Sequence, residues 1–231
     1  MNLPKLSKRL QCAASFARRG AFVADVGTDH AYLPISLALQ GRIRGGVVSD
    51  IHQGPIDRAR AHIREHRLED RLVPVLCDGL SAIEPYAPED IFILGMGGEL
   101  IAEILRSAPW TKNERIRLIL QPMTHPERLR AFLLAQGYTI IEERLVEEEK
   151  IYQILCVEYT GECADYTPLE LLLGRDNLRR RDGLIESLVC RWEEIFRERR
   201  CAKRGAGAES AEEDRYLQEI GEWKDDGSRT V

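Results

Sequence analysis

The sequence predicts an α/β protein: a mostly parallel sheet with helices on both faces, ended by an antiparallel strand hairpin and followed by an antiparallel helical hairpin. Three observations carry that reading. Strand-length apolar runs alternate with helical stripes through five successive βα units, the pattern of a sheet wound by crossover helices. Two strand-like runs then follow one another directly, "YTIIEERLVEEE" and "KIYQILCVEY". Beyond residue 160 the strand pattern stops and only helical spacing remains. Two domains are therefore expected, at 1–160 and 161–231.

The leading stretch "LPKLSKRLQCAASFA" sets Leu3, Leu6, Leu10, Ala13, Ala14 and Ala17 at helical spacing. "FVADV" is a buried strand, and Tyr32 to Leu39 is the first crossover helix. "GGVVSD" (45–50) is a second strand ending on an acid; a helix from Pro55 to Arg67 follows, its proline tolerated in the first turn. "RLVPVLCDGL" makes a third strand ending on Asp78. "EDIFILGMGGELIAEILRSA" reads as a fourth strand, a glycine turn and a helix. "RIRLILQPM" is a fifth strand, and "HPERLRAFLLAQGY" a helix closed by Gly137.

In the tail, Leu184, Ile185, Leu188, Trp192, Ile195 and Phe196 form one helical stripe, and Tyr216, Leu217, Ile220 and Trp223 form another, separated by "GAGAES". Charge is segregated there: residues 175–204 hold ten Lys/Arg against six Asp/Glu, and 205–231 hold three against eight. The expectation is two solvated faces that attract one another, with a basic binding surface as the alternative.

Composition narrows the class. No apolar run approaches a bilayer span, and the N-terminal stretch has no apolar signal region, so no membrane association is expected. Six scattered cysteines without a CxxC pair point to reduced thiols in a cytoplasmic protein, and to no metal site. A net charge of −5 offers no global sign of nucleic-acid binding; any such contact has to be local.

The strands share one feature, an acid or glycine turn at the carboxyl end, where open α/β sheets bind ligands. The first delivers Asp25, Gly27 and Asp29, the second Asp50, the third Asp78 and Gly79, the fourth Gly95-Met96-Gly97-Gly98. A dinucleotide fold places three glycines in the first turn so that a pyrophosphate can approach; here there is one, and the terminal hairpin also departs from a dehydrogenase. So many carboxylates repel phosphate. They suit a cationic ligand rich in hydroxyl and amine donors, with a carboxylate after the second strand for ribose hydroxyls and one after the third for an adenine amine. S-adenosylmethionine fits this set, being a nucleoside joined to an amino acid through a sulfonium, without phosphate. Each acid alone has an ordinary alternative as a helix cap or turn residue. Their shared position argues for a common pocket.

In order and spacing, "ADVGTDHAYLPI", "SDIHQGPI", "CDGL", "ILGMGG" and "LILQPM" resemble the bacterial tRNA (adenine(22)-N(1))-methyltransferase family, with its Rossmann-like class I methyltransferase sheet. The resemblance covers about the first 160 residues; in the tail it extends to the layout of a helical, coiled-coil-like domain. It implies methyl transfer from S-adenosylmethionine to N1 of adenosine 22 in tRNA. By the same resemblance Gly27 and Asp29 line the methionine part of the cofactor, with Asp25 at the base of the turn. Asp50 and Ile51 hold the ribose and flank the adenine, while Asp78 and Gly79 meet its amine. Gly95, Met96, Gly97 and Gly98 form the floor where the target base enters, and Arg9 either reaches the cofactor carboxylate or stays solvated.

Asp29, His30 and Gln121 are the catalytic candidates: Asp29 to stabilise charge developing on adenine, His30 to orient it or to sit in the core, Gln121 as an amide near the base. The fifth-strand motif reads Gln121-Pro122-Met123, where some members of that family end on asparagine. The tRNA backbone is expected to be gripped by Lys5, Lys8 and Arg9 and by Arg175, Arg179, Arg180 and Arg181. A monomer is expected, with a dimer through the tail left open. Two other readings stand beside this one: a class I methyltransferase acting on a small molecule or protein, and a cofactor-binding scaffold without turnover.

Overall fold

Strands buried on both faces need continuous apolar runs rather than alternation, and the central strands have them. In the computed structural model, which describes residues 3–228, Val23, Val47, Val48, Phe92, Ile119 and Leu120 are all fully buried. The chain divides into two units, Met1–Ala164 and Asp165–Val231.

The first unit is a seven-stranded sheet in the order β3-β2-β1-β4-β5-β7-β6. Its strands are β1 (Phe22–Val26), β2 (Gly45–Asp50), β3 (Leu72–Leu76), β4 (Asp90–Met96), β5 (Arg117–Pro122), β6 (Tyr138–Glu147) and β7 (Ile151–Tyr159). The first five run parallel; β7 is antiparallel to β5 and to β6. The chain builds outward from β1 to β3, then returns to lay β4 on the other side of β1. That reversal puts the ends of β1 and β4 at the switch point where such sheets open a crevice.

The helices of this unit are α1 (Lys8–Ser15), α2 (Tyr32–Leu39), α3 (Gln53–Glu65), α4 (Gly98–Arg106) and α5 (Pro126–Ala135). Helix α3 lies two residues earlier at each end than the expected Pro55–Arg67, and two further boundaries differ from expectation for local reasons. Helix α1 starts only at Lys8, because Ser7 caps it and its Oγ accepts from the Leu10 N–H at 3.4 Å, leaving Leu3 to Leu6 outside the helix. Strand β3 stops at Leu76; the Cys77 N–H still donates to the Asp50 carbonyl at 3.0 Å, and Asp78 lies in the loop beyond.

Two buried acids tie the layers together. Asp90 accepts from Arg18 through Nε at 2.6 Å and the backbone N–H at 2.7 Å. Arg130, fully buried on α5, donates to Glu143 of β6 and to Gln153 of β7 at 2.7 and 2.6 Å, fastening the terminal hairpin.

The second unit holds α6 (Pro168–Leu173), α7 (Arg175–Arg180), α8 (Gly183–Gly205) and α9 (Ala211–Ser228). Helices α8 and α9 are antiparallel, since Lys203 pairs with Glu213 and Lys224 with Glu193. Arg204 and Asp214 pair at 2.8 Å, so the segregated charges do attract across the hairpin. The tail is not a coiled coil. Helix α6 touches both long helices and α7 touches α8, and Leu169, Leu172, Leu173 and Leu178 are buried there. Helix α6 opens with a capping box, Thr167 and Glu170 satisfying each other's backbone N–H groups. Among the described residues no helix is long and apolar enough to cross a membrane.

Candidate active site

At the switch point two cavities flank the turn after β1, one of about 240 Å³ and one of about 170 Å³. Val26 and Gly27 line both. Gly27 sits at φ +75° with the Met96 side chain packed so close that a Cβ would collide with it. One glycine therefore serves conformation and close approach together.

The larger cavity is bounded by Asp25 of β1, Thr28, Asp29 and His30 from the turn after it, Tyr32 at the start of α2, Arg9 and Leu10 from α1, and Leu94 and Gly95 from β4. Asp25 is buried, and that desolvation pushes its carboxyl up to about 6 against the opposing hydrogen bond of Thr28. Asp29 is mostly exposed and already engaged. Arg58 of α3 donates to it through Nε at 3.0 Å and through Nη2, and His30 Nε2 lies 3.0 Å from its other oxygen. The Arg58 hydrogen bond, first among the causes, holds the Asp29 carboxyl below its ordinary range.

Arg9 is held from three sides. Its backbone N–H donates to Glu148 at 2.8 Å, its Nη1 to Gln121 at 2.5 Å, and its guanidinium lies 5.4 Å from the centre of the Tyr152 ring. Its Nε is buried with no partner among the described residues, as is His30 Nδ1.

The smaller cavity gathers Asp50 and Ile51 after β2, Cys77, Asp78 and Gly79 after β3, and Met96, Leu100 and Ile104 from β4 and α4. Asp50 Oδ1 accepts the His52 N–H at 2.7 Å. Ile51 and Leu100 are exposed apolar side chains on the rim.

Most of the sequence-predicted residues are brought together here: Arg9, Asp25, Gly27, Asp29, His30, Asp50, Ile51, Asp78, Gly79, Gly95 and Met96. Three are placed elsewhere. Gly97 and Gly98 line neither cavity. Gly98 instead lets α4 approach the next loop, its N–H donating to Thr124 O at 2.8 Å, where a Cβ would strike the His125 backbone. Gln121 is fully buried beneath the floor with both ends of its amide engaged within the chain, so it is not in a position to touch a base.

Sequence reasoning missed Arg58, His62 and Tyr32. The rings of His30, Tyr32 and His62 pack together with centroids 4.9 to 5.2 Å apart. The available signal was spacing: Arg58 and His62 are four residues apart and share a face of α3. Glu148 and Tyr152 come from the distant hairpin and had none.

A switch-point crevice lined by acids, with one close-approach glycine, on a parallel sheet ended by an antiparallel hairpin defines a class I methyltransferase domain. A family model of the methyltransferase domain matches residues 6–155. A Bacillus subtilis tRNA (adenine(22)-N(1))-methyltransferase is 37% identical over 175 residues, 75% of this chain and 74% of that protein. The chain belongs to that family. The crystal structure of the B. subtilis m1A22 tRNA methyltransferase superimposes with a TM-score of 0.82 at 29% identity, covering 95% of each chain. A Streptococcus pneumoniae candidate tRNA (m1A22) methyltransferase, solved in complex with S-adenosyl-L-methionine, gives 0.83 at 32% identity, covering 95% of this chain and 99% of that one.

Proposed function

We propose that this chain transfers the methyl group of S-adenosylmethionine to N1 of adenosine 22 in tRNA. The observation that carries the reading is the paired cavity at the switch point, joined at Gly27 and lined by carboxylates and by Arg9, whose buried Nε has no partner among the described residues. The residues fit the cofactor. An orphaned guanidinium donor suits an amino-acid carboxylate, buried Asp25 suits a nearby cation, and Asp50 suits a ribose diol. Ile51 and Leu100 offer apolar surface to the faces of a purine, with Asp78 near its edge. Bound S-adenosylmethionine supplies an electrophilic methyl on a sulfonium.

The chain then has little chemistry to perform. Neutral adenine already carries a lone pair on N1, so no side chain has to create the nucleophile. What remains is to hold the ring in line with the methyl carbon and exclude water. Asp29 faces the same crevice, but Arg58 already offsets its charge and His30 Nε2 lies against its other oxygen. It acts through the placement of the β1 turn more than as a naked anion. The target base has to leave its stack at a cost of a few kcal/mol, repaid by contacts to the backbone. Lys5, Lys8 and Arg179 are exposed and available for that grip. Arg175 and Arg181 serve the tail itself, Arg175 on Glu170 and Tyr166, Arg181 on the Trp223 ring and carbonyl.

The reading includes a cytoplasmic monomer, the location following from a tRNA substrate and the monomer supported by burial of Leu188 and Phe196 within a single chain. The test is to incubate the protein with labelled S-adenosylmethionine and unmodified tRNA transcript, then digest to nucleosides. The expected product is 1-methyladenosine approaching one per tRNA; label in N6-methyladenosine, or none in RNA, refutes the assignment.

A further inference from the structure

We propose that Gln121 is a positioning residue, whose side-chain carbonyl sets Arg9 against the larger cavity and thereby governs recognition of the cofactor carboxylate. The inference rests on the cofactor reading above and gives Gln121 a role beneath the floor instead of at the base.

The geometry is specific. One oxygen, Gln121 Oε1, accepts from Arg9 Nη1 at 2.5 Å and from the Gly95 N–H at 3.1 Å. The other end of the amide donates to Pro122 O at 3.0 Å, which fixes which way the group faces. Gln121 is fully buried on β5, next to β4, where the ladder shifts register between Leu94 and Met96. The single carbonyl therefore joins the cavity's two walls, α1 through Arg9 and the β4 turn through Gly95.

Arg9 has no other side-chain hydrogen bond from its guanidinium to the described protein; its backbone goes to Glu148 and its cation lies over Tyr152. Its Nε is buried and without a partner among the described residues. A buried unpaired donor is poorly tolerated unless a ligand acceptor completes it. A guanidinium held by one Nη keeps its planar fork in place, which is what bidentate recognition of a carboxylate requires. Without the Gln121 oxygen, Arg9 would have to find that orientation at an entropic cost on each binding event.

The experiment compares affinities for S-adenosylmethionine and for decarboxylated S-adenosylmethionine, which keeps the sulfonium and amine, by titration calorimetry. In Gln121→Met, near in volume but without an acceptor, affinity for the intact cofactor is expected to fall about tenfold while that for the decarboxylated one changes less than twofold. Arg9→Ala is expected to show the same selectivity, and the double variant no further loss of it. Gln121→Glu, which keeps the accepting oxygen, is expected to retain selectivity within about threefold, and it carries the test should the Met variant not fold. Equal loss of both ligands in Gln121→Met, or selectivity lost in Gln121→Glu, overturns the positioning role. If Arg9→Ala leaves the ratio of the two affinities unchanged, the carboxylate reading of Arg9 fails first. If Arg9→Ala changes the ratio and Gln121→Met does not, only the proposal for Gln121 fails.

Discussion

Asp25 shows how one buried carboxyl links the site to pH. Desolvation raises it to about 6, so below that value it is neutral and above it anionic. Affinity for a sulfonium ligand held beside it is expected to fall as pH drops through 6, by up to about tenfold per unit, and Asp25→Asn should flatten the profile in calorimetry. Stability has the opposite sign. Between the unfolded value of 3.8 and 6 the folded state binds more protons, so the free protein loses stability as pH rises through that window. Thermal melts across it, compared with Asp25→Asn, check the direction. The glycines make a second residue-scale prediction: Gly98→Ala should destabilise by more than about 1 kcal/mol, because its Cβ meets backbone that has no room to yield. At this scale the acids were legible because each follows its own strand within one or two residues. The partners of Asp29 and Arg9 were not, because Arg58 is 29 residues from Asp29 in the chain and Gln121 is 112 from Arg9.

The elements followed from apolar periodicity wherever a strand is buried on both faces, as in β1, β2, β4 and β5. Where local chemistry competes, the boundaries moved. Ser7 starts α1 late, and the short α6 was hidden in a stretch whose Thr167 and Glu170 were the one sign of a helix. The terminal hairpin was legible as two strand runs with no helix between them, but its use was not. Through Glu148 and Tyr152 it holds Arg9, and through Glu143 and Gln153 it receives Arg130 of α5. Removing one partner from such a buried ion pair costs about 3–5 kcal/mol. Arg130→Ala should therefore lower the melting temperature by well over what a surface arginine such as Arg60→Ala produces, and denaturant unfolding of the two variants compares them directly.

At the level of the whole molecule, the mostly parallel sheet and its terminal hairpin were implied by the succession of elements, while the order of the strands, which places the crevice between β1 and β4, was not. The tail was legible only in part: its two long helices are there, but α6 and α7 make it a small helical cluster, and its cross-helix ion pairs engage Lys203, Arg204 and Lys224. For a chain with a net charge of −5, only local cations remain to grip RNA. Arg179→Ala should weaken tRNA binding and reduce the slope of log affinity against log salt by about 1, with cofactor affinity unchanged. The most direct measurement of the central claim uses a pair of tRNA transcripts that differ only at position 22, adenosine in one and guanosine in the other, with methylation mapped along each by primer extension. The account predicts a single strong stop at position 22 of the first transcript and no methylation of the second. Equal methylation of both, or modification at another adenosine, would contradict it.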